Sequence, residues 1–149
     1  MKKSKILPPR VFFCYLLVVI GVYYILPVMQ VITGLYRLIG VPFLIFGLGL
    51  NLWADRLFKR QNTTVKPFEK SSTFIVEGPF TFTRNPMYVG MTAALLGLAI
   101  LLGSVVVFAL PFLFMIHVHY MYIIQEESAL CETFGESYDH YRRQVRRWL

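Results

Sequence analysis

Apolar positions in this chain come as long unbroken runs, with polar residues gathered between them. From Val11 to Ile32 there are 22 residues without a formal charge, and from Leu38 to Ala54 another 17. Either run can cross a hydrocarbon layer of roughly 30 Å as a helix, the second with Arg37 and Arg56 reaching outward at its ends. A third uncharged run, Pro86 to Ile124, has 39 residues. As one helix it would be about 58 Å long, too long for a single crossing. Gly103-Ser104 is the natural place for it to fold back, giving spans at about 86–102 and 105–124. The pattern therefore predicts four helices, at about 11–32, 38–54, 86–102 and 105–124.

Charge orients them. Of the 15 Lys and Arg residues, 14 fall before the first run, between the second and third, or after the fourth. Arg37 alone lies on the other side. By the positive-inside rule both termini are expected in the cytoplasm. All eight acidic residues fall on that same side, so polar chemistry is expected at the cytoplasmic face. A composition of 56% hydrophobic and 15% charged residues agrees with an integral membrane protein. The net charge of +7 then points to a membrane surface, and nucleic acid is not an expected partner. The start "MKKSK" followed by apolar residues is expected to be a retained first helix, because the run is too long for a signal peptide and no small-x-small site closes it. Cys14 and Cys131 suggest neither a disulfide framework nor a metal or redox motif. The expected fold is all-α: a polytopic membrane domain spanning residues 1–149, with four transmembrane helices and a C-terminal amphipathic helix.

Two pieces lie outside the runs, a loop over about 55–84 and a tail from about Gln125. In the tail, Tyr138, Tyr141, Val145 and Trp148 recur at three- and four-residue spacing, with arginines mainly elsewhere on the wheel. That is a basic amphipathic helix suited to lying on anionic headgroups. It leaves Glu126 and Glu127 unexplained. Ionisable groups at a bundle edge are expensive to place and mark a functional candidate; the bland reading is a helix-end acid facing water. The segment "TRNPMY" enters the third span at the level where Glu126 leaves the fourth. A tight turn joins those spans, so the two segments should face each other. Pro86 suits a first helical position and Asn85 its cap. Aromatics, an acid and a helix N-terminus there would form a polar pocket.

Other groups are weaker. His117 and His119 are two apart, so on a helix they point to different sides, and no metal is expected. The "GLGLN" at Gly47–Asn51 lies within the second span, where glycine more often permits close helix packing than phosphate binding.

"GPFTFTRNPMYVG", followed after about 35 apolar residues by "EESALCETFGESYDHYRRQV", resembles the isoprenylcysteine carboxyl methyltransferase and phospholipid methyltransferase superfamily. The resemblance covers Ser72 to about Trp148, with both motifs in order. It implies S-adenosyl-L-methionine as methyl donor, held at the cytosolic ends of the last two spans, over about 72–90 and 122–149. Cofactor contacts are implied at Ser72, Thr73, Phe74, Ile75, Phe80, Asn85, Pro86, Met87, Tyr88 and Glu126. Aromatic rings can stack on adenine or face a sulfonium cation, and a carboxylate can bind ribose or ammonium. Methyl transfer depends chiefly on alignment of the reacting groups.

Isoprenylcysteine enzymes carry an arginine four residues before the aligned glutamate, where this chain has Tyr122. A phenol cannot replace a guanidinium fork, so an amine or another lipid group becomes as reasonable an acceptor as a prenylcysteine carboxylate. Tyr122, Glu126 and Glu127 are the candidate catalytic residues, and membrane lipids with a lipophilic or prenylated acceptor the expected partners. An NADPH-using membrane reductase, or a non-catalytic scaffold of the same fold, would share part of this pattern.

Overall fold

The computed structural model describes residues 6–26, 29–60 and 74–149. Helix α1 runs Pro8–Ile25, and α2 runs Gly40–Arg60 behind a 3-10 lead-in, Gly34–Ile39. Helix α3 spans Pro86–Leu102, α4 Ala109–Val118, α5 Ile124–Phe134 and α6 Glu136–Gln144. Between α4 and α5, His119–Ile123 forms a π turn, so the chain is helical without a break from Val106 to Phe134. No strand of more than an isolated bridge occurs among the described residues. Three stretches, 8–25, 34–60 and 106–134, are long and apolar enough to cross a membrane, and α3 is a shorter apolar helix of 17 residues.

The residues expected to form the third span are those of helix α3. The first differs: α1 opens on Pro8 and Pro9, where missing N–H groups cost nothing, and stops at Ile25 rather than 32. Leu26 has left the helix, at φ −117° and ψ 78°, as expected of a residue preceding a proline. The second helix reaches Arg60 and the fourth reaches Phe134, both beyond the uncharged runs. Helical hydrogen bonding continues past the point where the side chains become polar; hydropathy sees only the side chains.

Gly103 ends α3 in the left-handed region, at φ 72°, a conformation glycine adopts without steric cost. Its carbonyl accepts the N–H groups of Val31 and Ile32 at 2.8 and 3.2 Å. Arg37, the isolated cation of this end, donates from Nη2 to Gln30 Oε1 at 2.7 Å and from Nε to the Ile32 carbonyl at 3.0 Å. The turn and the α1–α2 connection are thereby knotted together.

Helix α3 is the middle of the bundle. One side lies antiparallel against α2, with Gly40 facing Gly97 and Gly47 facing Gly90. A Cβ on Gly97 would come 2.7 Å from the Gly40 carbonyl oxygen, and one on Gly90 would come 2.7 Å from that of Gly47. Two helical turns separate the glycines on each helix, so the backbones meet twice along one seam, as small residues permit in a bilayer. The other side buries Tyr88, Met91, Leu95 and Ala99 against Val11 and Val19 of α1 and Phe114 and Val118 of α4. Tyr15 reaches across from α1, its hydroxyl 3.3 Å from His117 Nδ1.

Candidate functional site

At the end where α3 begins and α5 leaves, the two motifs come together. Pro86 occupies the first turn of α3. Asn85 stands at the cap position but makes no capping bond; its Nδ2 donates to the Arg147 carbonyl at 2.9 Å. One turn on, the Tyr88 hydroxyl donates to Glu126 Oε1 at 2.8 Å. The Tyr88 ring stacks on Tyr122, centroids 6.4 Å apart and 25° between planes. Tyr122 is fully buried, and its hydroxyl donates to the Ile6 carbonyl at 2.8 Å. Tyr88 thus joins Glu126 to Tyr122. Among the described residues nothing hydrogen-bonds the other Glu126 oxygen, and the side chain is half-buried.

The π turn sets which residues arrive here. From Phe114 onward the buried positions are Phe114, Val118, Tyr122 with Ile123, and Glu127, steps of four and five that exceed the 3.6 residues of an α turn. The wider turn keeps one stripe against α3 as the chain passes from membrane to polar end. An α-helical reading places Tyr122 and Glu126 on one face. In the structure Tyr122 is interior and Glu126 lies toward the edge.

Glu127 is differently placed, nearly buried at 6% exposure. Arg147 grips it as a fork, Nη2 to Oε2 at 2.7 Å and Nε to Oε1 at 3.1 Å. Arg84, itself almost enclosed, lies 3.4 Å from Oε1 through Nη1. The Arg147 guanidinium is held charged by its bonds to Glu127, which raise its pKa further.

The C-terminal segment departs from the surface helix expected of it. Helix α6 ends at Gln144, and Val145 is extended. Tyr138 and Tyr141 are buried against Phe74 rather than facing lipid. Burial pushes the Tyr138 phenol up to about 12, with the nearby Glu127 charge adding to it, and pushes Tyr141 up too. The Tyr141 hydroxyl donates to the Phe80 carbonyl at 2.7 Å. Beyond α6 the chain folds back as a strap: the Arg84 N–H donates to the Arg146 carbonyl at 2.9 Å, and Thr83 Oγ1 donates to that of Arg147 at 3.2 Å. Trp148 then stacks on His119, centroids 6.5 Å apart. Aromatic spacing in the tail is real, but protein covers those rings.

The remaining expected contacts are spread around this centre. Ile75, Phe80 and Met87 pack with Ala54 of α2, and the Phe80 ring meets Phe58 edge-on at 5.6 Å. Phe74 lies with Phe134 and Tyr138. Ser72 and Thr73 fall outside the described residues. Arg84, Arg147, Thr83 and Trp148 were missed by the sequence reading. An arginine inside "TRNPMY" was a usable signal for the first; nothing in "RRQVRRWL" distinguishes Arg147 from its three neighbours.

The profile of the phospholipid methyltransferase family matches residues 35–137, more than half of the chain. This chain belongs to the phospholipid methyltransferase family. It is 34% identical over 76 residues to the protein-S-isoprenylcysteine O-methyltransferase of Schizosaccharomyces pombe, an alignment covering 51% of this chain and 32% of that protein. It superposes with a TM-score of 0.68 and 25% identity on a solved structure of the eukaryotic intramembrane Ras methyltransferase ICMT, isoprenylcysteine carboxyl methyltransferase, covering 89% of this chain and 48% of that one. The chain thus spans a third to a half of the length of these relatives. Family membership and the apolar helices together identify this phospholipid methyltransferase family member as an integral membrane protein.

Proposed function

We propose that this protein is a membrane methyltransferase that uses S-adenosylmethionine to methylate a lipophilic acceptor at the cytoplasmic face. The supporting observation is the Tyr88–Glu126 hydrogen bond, which ties the "RNPMY" segment to the "EE" segment beside stacked aromatic rings. The residues fit such a cofactor. Glu126 offers an oxygen for a ribose hydroxyl or an ammonium group, and Tyr88, bonded to it and backed by Tyr122, offers an aromatic ring to a cation. Bound there, S-adenosylmethionine supplies an electrophilic methyl group on sulfonium. Ser72, Thr73, Phe74, Ile75, Phe80, Asn85, Pro86, Met87, Tyr88 and Glu126 form the proposed cofactor set. Asn85 contributes through its backbone, its amide being taken by Arg147, and Phe80 and Met87 through the wall they build.

Helix edges and strap exclude water and hold the acceptor in line, the main demand of methyl transfer. For an amine acceptor, Glu126 or Glu127 is the proposed proton acceptor, and among the described residues Glu126 is the one without a guanidinium partner. Tyr122, its hydroxyl given to the Ile6 carbonyl, supplies no cation for a carboxylate, so an amine or neutral lipid should outperform a prenylcysteine carboxylate. Both termini lie in the cytoplasm and the Gly103-Ser104 turn outside, as the cation bias directs. Calorimetry against S-adenosylmethionine and NADPH tests the cofactor: binding of NADPH alone would refute the reading. Radiolabelled methyl transfer to both acceptor classes tests the acceptor, and robust methylation of prenylcysteine with none of the amine lipid would overturn the preference. Labelling of a single cysteine at position 104 only from the cytoplasmic side would end the topology.

A further inference from the structure

One carboxylate here serves two guanidinium groups, unequally. Glu127 gives both oxygens to Arg147 but meets Arg84 at a single approach of 3.4 Å, the Arg84 guanidinium also bonding the Tyr138 phenol. Among the described residues nothing hydrogen-bonds Arg84 Nε or Nη1, which are buried, and the side chain is only 8% exposed. Arg147 is the more accessible partner, at 36%. It belongs to the strap, which lies across Thr83, Arg84 and Asn85 and ends with Trp148 on His119.

From this geometry we infer that Glu127, Arg84 and Arg147 form a two-position latch on the C-terminal strap. With the strap down, Glu127 is forked by Arg147 and Arg84 is under-bonded. With the strap lifted, the same carboxylate turns to Arg84, whose Nη1 is already 3.4 Å from it. A buried carboxylate that lost its only cation would be costly to leave unpaired. Glu127 exchanges partners instead, so both positions keep the charge compensated and opening is inexpensive. Neither position depends on methyl chemistry. On the function proposed above, the strap overlies Asn85 and the neighbourhood of Tyr88 and Glu126, so lifting it is the step that admits and releases the cofactor. Arg147 and Arg84 are then positioning residues with opposed effects. Arg147 holds the strap down, and Arg84 draws Glu127 away from it.

The opposition of sign is the test. In a Trp53→Phe background Trp148 is the remaining tryptophan, and its quenching by acrylamide in detergent micelles reports strap position without any cofactor. Arg147→Lys keeps the charge but loses the fork. It is expected to raise quenching severalfold and to speed release of radiolabelled S-adenosylmethionine about tenfold, equivalent to about 1.4 kcal/mol. Arg84→Met, which removes the competing cation and replaces it with an apolar chain of similar length, is expected to lower quenching and slow release. Should Arg84→Met fail to fold, Arg84→Lys carries the same sign to a smaller degree. Both variants moving Trp148 in the same direction, or neither moving it, would overturn the latch. Quenching that shifts as expected with unchanged cofactor release would overturn its role in exchange. An unmodified protein that binds no S-adenosylmethionine would instead overturn the proposed function, and the exchange role with it, while the quenching result still reads on the latch.

Discussion

The seam between α2 and α3 and the polar end where α3 meets α5 and the strap are both close contacts of buried groups, yet they are built in opposite ways. In the seam, Gly40, Gly47, Gly90 and Gly97 bring two backbones together with no charge involved. At the polar end, Glu127, Arg84 and Arg147 sit with Tyr138 and Asn85 in a web of directed bonds. Inside a bilayer lipid tails are as apolar as leucine, so helices associate through fit rather than through exclusion of water. A seam of that kind has one good arrangement. Charge-assisted bonds at an aqueous edge can be exchanged between partners, and there the protein gains the ability to move. On the latch proposed above, the part that moves lies where bonds are exchangeable, beside a close-packed seam that needs none.

Removing the shared anion should do most damage. Glu127→Leu leaves two guanidinium groups facing each other without compensation, a loss of about 3–5 kcal/mol. It is expected to lower the melting temperature of detergent-purified protein sharply, and a melting temperature equal to the unmodified chain's would deny the web its structural weight. The seam comes next. Gly47→Val places a branched side chain against the Gly90 carbonyl and Ala94, costing about 1–3 kcal/mol by overpacking. The same change at Gly49, which has open space around it, should be nearly silent; equal effects at 47 and 49 would show that the seam is looser than drawn.

Smaller in stability but specific to function, Glu126→Gln should cost roughly 1.5–3 kcal/mol of S-adenosylmethionine binding, or about 10- to 150-fold in affinity. Tyr88→Ala should also weaken it. Calorimetry on folded variants checks both, and undiminished affinity in Glu126→Gln would remove Glu126 from the cofactor set. The smallest effect is set by pH. The Tyr138 phenol is raised in the folded protein to about 12. Its contribution is therefore complete below its ordinary value near 10 and is lost as the pH climbs through about 12. Over that interval the unmodified protein should lose thermal stability relative to Tyr138→Phe, which cannot ionise. Parallel curves for the two would place Tyr138 outside the web.

How much of this could be read from the chain differs along its length. Uncharged runs, the prolines at 8, 9 and 86 and the glycine at 103 each act locally, through bilayer thickness or through one residue's backbone preference. The third helix and its turn were for that reason legible to the residue. The meeting of "RNPMY" with "EE" was also legible, since a tight turn obliges its two helices to run side by side. Ends of the other helices were less so, because backbone hydrogen bonds carried α2 and α5 beyond the change from apolar to polar side chains.

What the tertiary structure alone decided lies in the partners. Aromatic periodicity in the tail looks the same whether lipid or Phe74 covers Tyr138 and Tyr141. Adjacent glutamates look alike until one is bonded by Tyr88 and the other is forked by Arg147. Four arginines in "RRQVRRWL" are equivalent on paper, and a five-residue π turn has no sequence signature that sets it apart from an α turn. Composition and periodicity record which surfaces a residue prefers. Which particular group satisfies it, at 2.7 Å or at 3.4 Å, is settled by segments distant in the chain that pack only once the whole bundle has formed.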